Sequence, residues 1–220
     1  MTALEQQGAL ARAAARRLAN ATTEEKNRAL EGIARALETE QTAILAANAA
    51  DMDAARAAGM RPAMLDRLLL DAGRIAGVAA GVRQVAALDD PVGRMVEMST
   101  RPNGLQIGKR TVPLGVIGMI YEARPNVTVD AAVLCLKAGN AVILRGGKEA
   151  FRTNCALAEL MRGAIEAAGL PADAVSLVQD TSRASAAELM GLRGYLDVLI
   201  PRGGAGLIRS VVENARVPVI

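Results

Sequence analysis

Short apolar runs alternate with amphipathic stretches through the second half of the chain. The segment VIGMI at 116–120 is apolar throughout, and Val129, Val133 and Leu136 then recur at helical spacing before Gly139. An uninterrupted apolar strand is typical of a parallel sheet covered on both faces, and a helix between two such strands is the usual crossover. The pattern therefore predicts an α/β domain with a parallel sheet and flanking helices. Its predicted strands lie at 116–120, 141–144, 174–178, 196–200 and 217–220, with helices near 127–138, 151–168, 185–192 and 205–214.

The first 90 residues have helical periodicity instead. An amphipathic stretch covers 4–18, and Thr22 and Glu25 have the spacing of a capping box, which predicts that a second helix begins there. The apolar face of this second helix is expected to continue through Ile44 and Leu45. Further helical segments are predicted at 48–58 and 65–85. No reactive groups cluster in this part of the sequence, so it is interpreted as a scaffold.

A β-hairpin is predicted between these two parts. The sequence DDP at 89–91 breaks the helical run, Asn103 and Gly104 form a turn signal, and Leu105 and Ile107 alternate with polar residues on the return strand. The hairpin could pair with a partner subunit or form a simple edge ribbon, and both interpretations need an exposed edge. The chain thus divides into a helical region at 1–90, a ribbon at 91–111 and a parallel-sheet domain at 112–220.

Composition narrows the function classes. The chain has 220 residues, a net charge of +3, two tyrosines, one phenylalanine and no tryptophan, so it lacks the basic stripe and stacking aromatics of a nucleic-acid-binding protein. The absence of histidine excludes Ser-His-Asp triads, Cys-His dyads and His-ligated metal sites within the chain, and no metal is expected. Cys135 and Cys155 lie on predicted helices and are interpreted as small core residues in a reducing compartment. With no signal-peptide pattern and no apolar run of membrane-spanning length, a cytoplasmic protein is expected.

Two glycine clusters follow predicted strands and carry positive charges, RGGK at 145–148 and PRGGAG at 201–206. Neither fits a P-loop, since Glu149 follows Lys148, and there is no clean G-x-G-x-x-G. Either cluster alone is equally well explained as an ordinary turn. Two of them at strand ends of one sheet favour a nucleotide with several phosphates, because glycine lets the backbone approach a phosphate and a helix N-terminus attracts it. The candidate cofactor-binding residues are Arg145, Gly146, Gly147, Lys148, Pro201, Arg202, Gly203 and Gly204.

Asn126 lies between a predicted strand and a predicted helix, directly after Pro125. Its side chain could cap the helix, or its amide could donate to a developing oxyanion. Arg124 could hold a carboxylate or phosphate of a substrate, or it could be a solvated turn residue. Glu122 could pair with Arg124 rather than act as a base.

Three motifs carry a resemblance to a known family. The stretches VPLGVIGMIYEARPNVTVDAA, KAGNAVILRGGKEA and LIPRGGAGLIRSV resemble the gamma-glutamyl phosphate reductases (glutamate-5-semialdehyde dehydrogenases), the proline-biosynthesis branch of the aldehyde dehydrogenase superfamily. The resemblance covers the whole chain, but the family is about twice as long. It implies the N-terminal half of an aldehyde dehydrogenase-like protein, with a truncated Rossmann-like domain. The terminal sequence VPVI, which is typical of the start of a buried strand, agrees with that expectation.

The resemblance implies NADPH-dependent reduction of L-glutamyl 5-phosphate to L-glutamate 5-semialdehyde and phosphate, through a thioester on an enzyme cysteine. Asn126 would be the oxyanion amide, Arg145 would contact the adenine ribose, Lys148 would attract the 2′-phosphate, and the turn at 201–206 would hold the pyrophosphate. The family's nucleophilic cysteine lies beyond Ile220, so the chain alone is expected to be inactive. A homo-oligomer and coupling to glutamate 5-kinase are the expected associations. The alternative is a stand-alone nucleotide-binding or subunit-interaction module without catalysis.

Overall fold

Five helices occupy the N-terminal part of the computed structural model, which describes all residues from 1 to 220. Thr2 and Thr22 each begin a helix with a complete capping box, in which the threonine oxygen accepts an amide hydrogen three residues on and a glutamate accepts the threonine's own amide hydrogen. The capping box predicted at Thr22 is therefore present. The helices are α1 (Ala3–Leu18), α2 (Thr23–Thr39), α3 (Gln41–Ala57), α4 (Pro62–Leu68) and α5 (Ala72–Ala87).

The second helix is shorter than the sequence pattern predicts. Glu40 ends α2 and α3 starts immediately, so Ile44 belongs to α3, which runs unbroken through the segment expected as a separate piece at 48–58. Ile44 is still buried in the core. The prediction was wrong because the apolar spacing is compatible with either arrangement and no glycine or proline marks the break.

The predicted hairpin is present as β1 (Met95–Thr100) and β2 (Gln106–Arg110), which pair antiparallel. Its loop has three residues, since the Arg101 amide donates to the Leu105 carbonyl at 2.8 Å, and Gly104 has a φ of +84°. Pro102 therefore belongs to the turn together with the predicted Asn103 and Gly104. Every residue of both strands is exposed to solvent.

The second half forms a four-stranded parallel sheet in the order β5-β4-β3-β6. Its strands are β3 (Val116–Tyr121), β4 (Ala141–Arg145), β5 (Val175–Leu177) and β6 (Val198–Arg202). The helices are α6 (Pro125–Lys137), α7 (Phe151–Ala167), α8 (Arg183–Met190) and α9 (Ala205–Asn214). The predicted α/β class is confirmed, and Val219 forms a single parallel bridge with Leu199 where a fifth strand was predicted.

The register of this sheet brings the candidate residues to one edge. Ile120 pairs with Arg145, and Tyr121 pairs with Arg202, so β3, β4 and β6 end side by side. The carboxyl ends of parallel strands are where open α/β sheets bind ligands. No helix combines the length and the apolar character that crossing a membrane requires.

A buried charge cluster ties α2 to the segment that follows α5. Lys26 is only 1% exposed, and its Nζ donates to both carboxylate oxygens of Asp90, at 2.6 and 2.8 Å. Asp90 also accepts from the Thr23 hydroxyl and the Val92 amide. Burial alone would raise the pKa of Asp90, but these hydrogen bonds outweigh it and hold the pKa below its ordinary value.

Candidate functional site

Two neighbouring cavities open at the carboxyl ends of the parallel strands. One, of about 400 Å³, lies between the end of β3 and the turn after β6, and it is lined by Arg124, Arg202, Gly203 and Gly204. The other, of about 540 Å³, lies towards β4 and is lined by Arg145, Gly147, Lys148 and Glu149. The two share walls made by five residues, namely Met64, Arg67, Tyr121, Glu122 and Ala123. We call them together the edge cavities.

The structure brings most, but not all, of the predicted cofactor residues into these cavities. Gly146 and Pro201 line neither of them. Gly146 is a packing glycine, because a Cβ there would lie 2.3 Å from the Asn154 amide nitrogen and 3.1 Å from the Tyr121 ring. Six of the eight predicted residues line the cavities: Arg145, Gly147, Lys148, Arg202, Gly203 and Gly204.

Two glycines keep the cavity walls free of side chains. A Cβ at Gly147 would lie 2.5 Å from a Glu149 carboxylate oxygen and 3.4 Å from the Ala123 amide nitrogen. A Cβ at Gly203 would lie 2.7 Å from the Glu122 carboxyl carbon. These positions therefore form a cradle of backbone that any other residue would fill.

The helix α9 begins at this cradle without a side-chain cap of its own. Gly204 is the N-cap, and its amide donates to Glu122 Oε2 at 3.1 Å. The predicted pairing of Glu122 with Arg124 is therefore not formed, because the carboxylate is directed at the helix start instead. The first amides of a helix have no intrahelical acceptors and carry a partial positive charge, so this end of α9 favours anions.

The cations of the edge cavities differ in how they are held. Lys148 and Arg202 are exposed and have no ion-pair partner. Arg145 is half-buried, and one of its terminal nitrogens donates to the Thr181 and Ser182 carbonyls at 2.7 and 2.9 Å. Its Nε is buried without any partner, and burial lowers the pKa of the guanidinium. Arg145 thus anchors the loop after β5 and still has N–H donors without partners.

Asn126 is not the N-cap of its helix. Arg124 occupies the N-cap position without a side-chain bond, Pro125 is the first helical residue and Asn126 is the second. The capping alternative for Asn126 is therefore wrong, because a side chain inside the first turn cannot close back on the same amides. Its amide nitrogen donates to Asp130 Oδ2 at 3.2 Å.

A buried hydrogen-bond chain fixes this helix against its neighbours. Thr128 donates to Asn154 Oδ1 at 2.8 Å, so the hydroxyl of Tyr121, 2.7 Å from Thr128 Oγ1, must be the donor in that contact. Burial raises the pKa of Tyr121, which keeps the phenol protonated. The chain joins the end of β3 to α6 and α7, and it thereby positions Arg124 and Asn126.

Arg124 and Asn126 also face a third cavity, of about 490 Å³, between α4, α5 and α6. Arg67 lines this cavity as well as the edge cavities. The interpretation of the N-terminal helices as pure scaffold therefore missed the contribution of α4, which also places Arg61 at the edge. The sequence held only a faint signal, three arginines within 61–74, and no pattern tied them to the distant strand ends.

Neither cysteine lines the edge cavities or the third cavity. Cys135 is buried, and burial raises its pKa to about 12. Cys155 is partly buried, its Sγ lies 3.7 Å from the Gln179 side-chain oxygen, and burial together with the charge of Asp51 raises its pKa. A raised pKa disfavours the thiolate, which is the nucleophilic form. Both thiols are thus poor nucleophiles, as their interpretation as core residues predicts.

Comparisons with known proteins agree with this architecture. Residues 2–215 match the Aldehyde dehydrogenase family. The gamma-glutamyl phosphate reductase of Moorella thermoacetica is 63% identical over 217 residues, which are 99% of this chain and 52% of that protein. The crystal structure of gamma-glutamyl phosphate reductase from Thermotoga maritima has a TM-score of 0.97 and 41% identity, covering 99% of this chain and 53% of that one. The Saccharomyces cerevisiae gamma-glutamyl phosphate reductase has a TM-score of 0.91 and 30% identity, covering 100% and 56%.

The chain therefore spans about half the length of the relatives that it matches. The resemblance drawn from the three motifs is confirmed, and so is the expected aldehyde dehydrogenase-like fold. Because the family match extends over nearly every residue, the chain belongs to the aldehyde dehydrogenase family.

Proposed function

We propose that this chain is the cofactor-binding half of a gamma-glutamyl phosphate reductase, which reduces L-glutamyl 5-phosphate to L-glutamate 5-semialdehyde and phosphate. The observation that carries the proposal is the meeting of glycine turns and unpaired cations at the ends of β3, β4 and β6. Two similar relatives carry the name gamma-glutamyl phosphate reductase, which supports the choice of substrate and of a reduction.

The residues of the edge cavities fit a dinucleotide that carries several phosphates. The cradle at Gly147 and Gly203, the start of α9 and the unpartnered Nε of Arg145 offer donors and space for phosphates and a ribose. Lys148 would attract the 2′-phosphate, because an exposed lysine without a partner is free to pair with it. This favours NADPH over NADH, and the bound cofactor would supply the hydride of the reduction.

The groups near the first turn of α6 would serve the acyl transfer. In this proposal a cysteine of the longer polypeptide attacks the acyl phosphate, phosphate leaves, and the carbonyl oxygen carries negative charge during the attack. The Asn126 amide would donate to that oxygen, and Arg124 would hold a carboxylate or phosphate of the substrate. Cys135 and Cys155 are unsuited to the attack, because they lie outside the cavities and their pKa values are raised.

The proposal includes the associations of the full-length protein. The ribbon of β1 and β2 exposes Val96 and Met98, which a second copy would cover in a homo-oligomer. Coupling to glutamate 5-kinase would deliver a substrate whose acyl phosphate hydrolyses readily, and a cytoplasmic location would suit both enzymes.

The first test is a calorimetric titration of this chain with NADPH and with NADH, after circular dichroism has confirmed that the chain is folded. NADPH should bind more tightly. Lys148→Glu should weaken NADPH by about 1.5–3 kcal/mol, the scale of a charge-assisted hydrogen bond, and should leave NADH nearly unchanged. Arg35→Glu is the matched control, because Arg35 is an exposed, unpaired cation on α2 outside the cavities.

Equal losses for both cofactors would contradict the 2′-phosphate assignment. A folded chain that binds neither cofactor would show that these residues do not form a complete site. For the reaction itself, the full-length protein should reduce NADP⁺ in the presence of glutamate 5-semialdehyde and phosphate, and a folded protein without this turnover would refute the proposed activity.

A further inference from the structure

The third cavity has the chemistry of a site for a zwitterion. We call it the α5–α6 groove and define it by Arg67, Arg74, Gly77, Arg124, Asn126 and Asp130. It reaches the amide of Asn126, and it contains both cations and a carboxylate. Gly77 and the nearby Gly81 leave its floor open, since a Cβ at either position would meet nothing within 4 Å.

Asp130 is the unusual member of this groove. It is half-buried, it has no ion-pair partner, and its one hydrogen bond is the 3.2 Å contact from Asn126. Burial raises its pKa, against the opposing effects of Arg202 and Asn126. A partly desolvated carboxylate is unfavourable without a cation or several donors. The groove thus contains an acceptor that a ligand ammonium group would satisfy.

The two arginines that come from the helical region are held differently. The Arg74 guanidinium is held by three hydrogen bonds, since it donates to the Leu69 carbonyl at 2.9 Å and to the carboxylate and carbonyl of Asp66. Arg67 has only a weak 3.8 Å contact with the sulfur of Met64. The Arg74 side chain is therefore held in place as part of the groove wall, and Arg67 is the cation that a ligand carboxylate could engage.

The spacing of these groups suits a short amino acid whose far end reacts. Asp130 follows Asn126 by four residues, which places it about 6 Å, just over one helical turn, along α6. In a glutamyl group two methylenes separate the reactive carbonyl from the α-carbon, so the carbonyl can lie at Asn126 while the α-ammonium lies near Asp130.

We propose that the α5–α6 groove binds the amino-acid end of the substrate, with Asp130 accepting the α-ammonium and Arg67 donating to the α-carboxylate. This inference rests on the proposed function, because the substrate whose amino-acid end is bound here is the one that the proposed function assigns. It gives α4 and the second turn of α6 a role in specificity.

Three aldehydes test the inference in the full-length protein with NADP⁺ and phosphate. Glutamate 5-semialdehyde has both α-groups, 5-oxopentanoate lacks the amino group, and 4-aminobutanal lacks the carboxylate. Wild type should have its highest kcat/KM with glutamate 5-semialdehyde. Asp130→Asn should lower the preference for glutamate 5-semialdehyde over 5-oxopentanoate by about ten- to a hundredfold, and Arg67→Gln should do the same for the preference over 4-aminobutanal.

Asp130→Asn separates recognition from positioning. The new amide oxygen can still accept from Asn126, so only the charge is lost, whereas Asp130→Glu keeps the charge and should retain part of the preference. Asp53→Asn, which removes an exposed carboxylate of α3 outside the groove, is the control. Thermal unfolding of each variant checks that it is folded.

Three outcomes would overturn the inference. An unchanged preference in Asp130→Asn would exclude recognition of the ammonium. Where that unchanged preference comes with an equal fall in kcat/KM for both aldehydes, Asp130 acts only through Asn126. A wild type that oxidises 5-oxopentanoate as well as glutamate 5-semialdehyde would refute the groove assignment but leave the reaction class intact, while a folded wild type that oxidises none of the three would refute the proposed function as well.

Discussion

Positive charges are used in opposite ways in two parts of this molecule. Lys26 and Lys137 are buried, and each has two acceptor atoms: Lys26 binds both carboxylate oxygens of Asp90, and Lys137 donates to the Asn27 side chain at 2.7 Å and the Ala86 carbonyl at 2.8 Å. At the edge cavities, Lys148 and Arg202 are exposed and lack carboxylate partners. Buried charges require partners because desolvation is costly, whereas an exposed cation is solvated and can remain unpaired until a ligand binds. The first group therefore holds the fold, and the second group is free to bind anions.

The largest expected effect is on the buried pair. Lys26→Met leaves the Asp90 carboxylate without its cation, and it should lower the free energy of unfolding by about 3–5 kcal/mol in a urea titration. Lys148→Met should change it by no more than about 0.5 kcal/mol, because that lysine is exposed and unpaired. Similar losses in the two variants would remove the distinction between the regions.

The pH dependence of stability provides a control for this pair. Because the folded-state pKa of Asp90 is lowered, its contribution is present above the pKa of the unfolded state and is lost as the pH falls below about 4. Asp90→Asn should lack this part of the acid sensitivity. A double variant, Lys26→Met with Asp90→Asn, should recover some of the stability that the single change loses.

The next prediction is a loss of catalytic turnover without a loss of stability. In the full-length protein, Asn126→Ala should lower turnover by about 10²–10³, the loss seen when one oxyanion donor is removed. Since Asn126 is not the helix cap, the same change should have little effect on thermal unfolding. A loss of stability with normal turnover would contradict the oxyanion role.

The smallest expected effect tests whether cofactor binding at the edge cavities depends on the absence of a side chain at Gly203. Gly203→Ala places a Cβ 2.7 Å from the Glu122 carboxyl carbon, and since that side chain can shift, NADPH affinity should fall by about 1 kcal/mol. Gly206→Ala, at the start of α9, is the nearby control, because its Cβ would meet nothing within 4 Å. Calorimetric titration of both variants with NADPH measures this difference. Equal NADPH affinities of the two variants would show that the cradle is not needed for cofactor binding.

Much of the fold was accessible from the sequence because its signals are local. The apolar run of β3 and the Thr22–Glu25 capping box each act within a few residues, and both the strand and the capping box are present. The break at Glu40 was missed because the core accepts Ile44 from a new helix as readily as from a continued one. The helical position of Asn126 was also missed, since the spacing alone favoured a cap.

The sequence by itself determined the alternation of strands and helices, the glycine turns with their charges, and, through its motifs, the family. Only the tertiary structure decided that Arg67 lies beside Arg124, that Glu122 bonds to α9 rather than to Arg124, and that Asp130 lies unpaired in a groove. Elements form from periodicity and capping within a short stretch, whereas a charged side chain finds its partner through packing between distant segments. That is why the strands could be predicted and the partners of the charges could not.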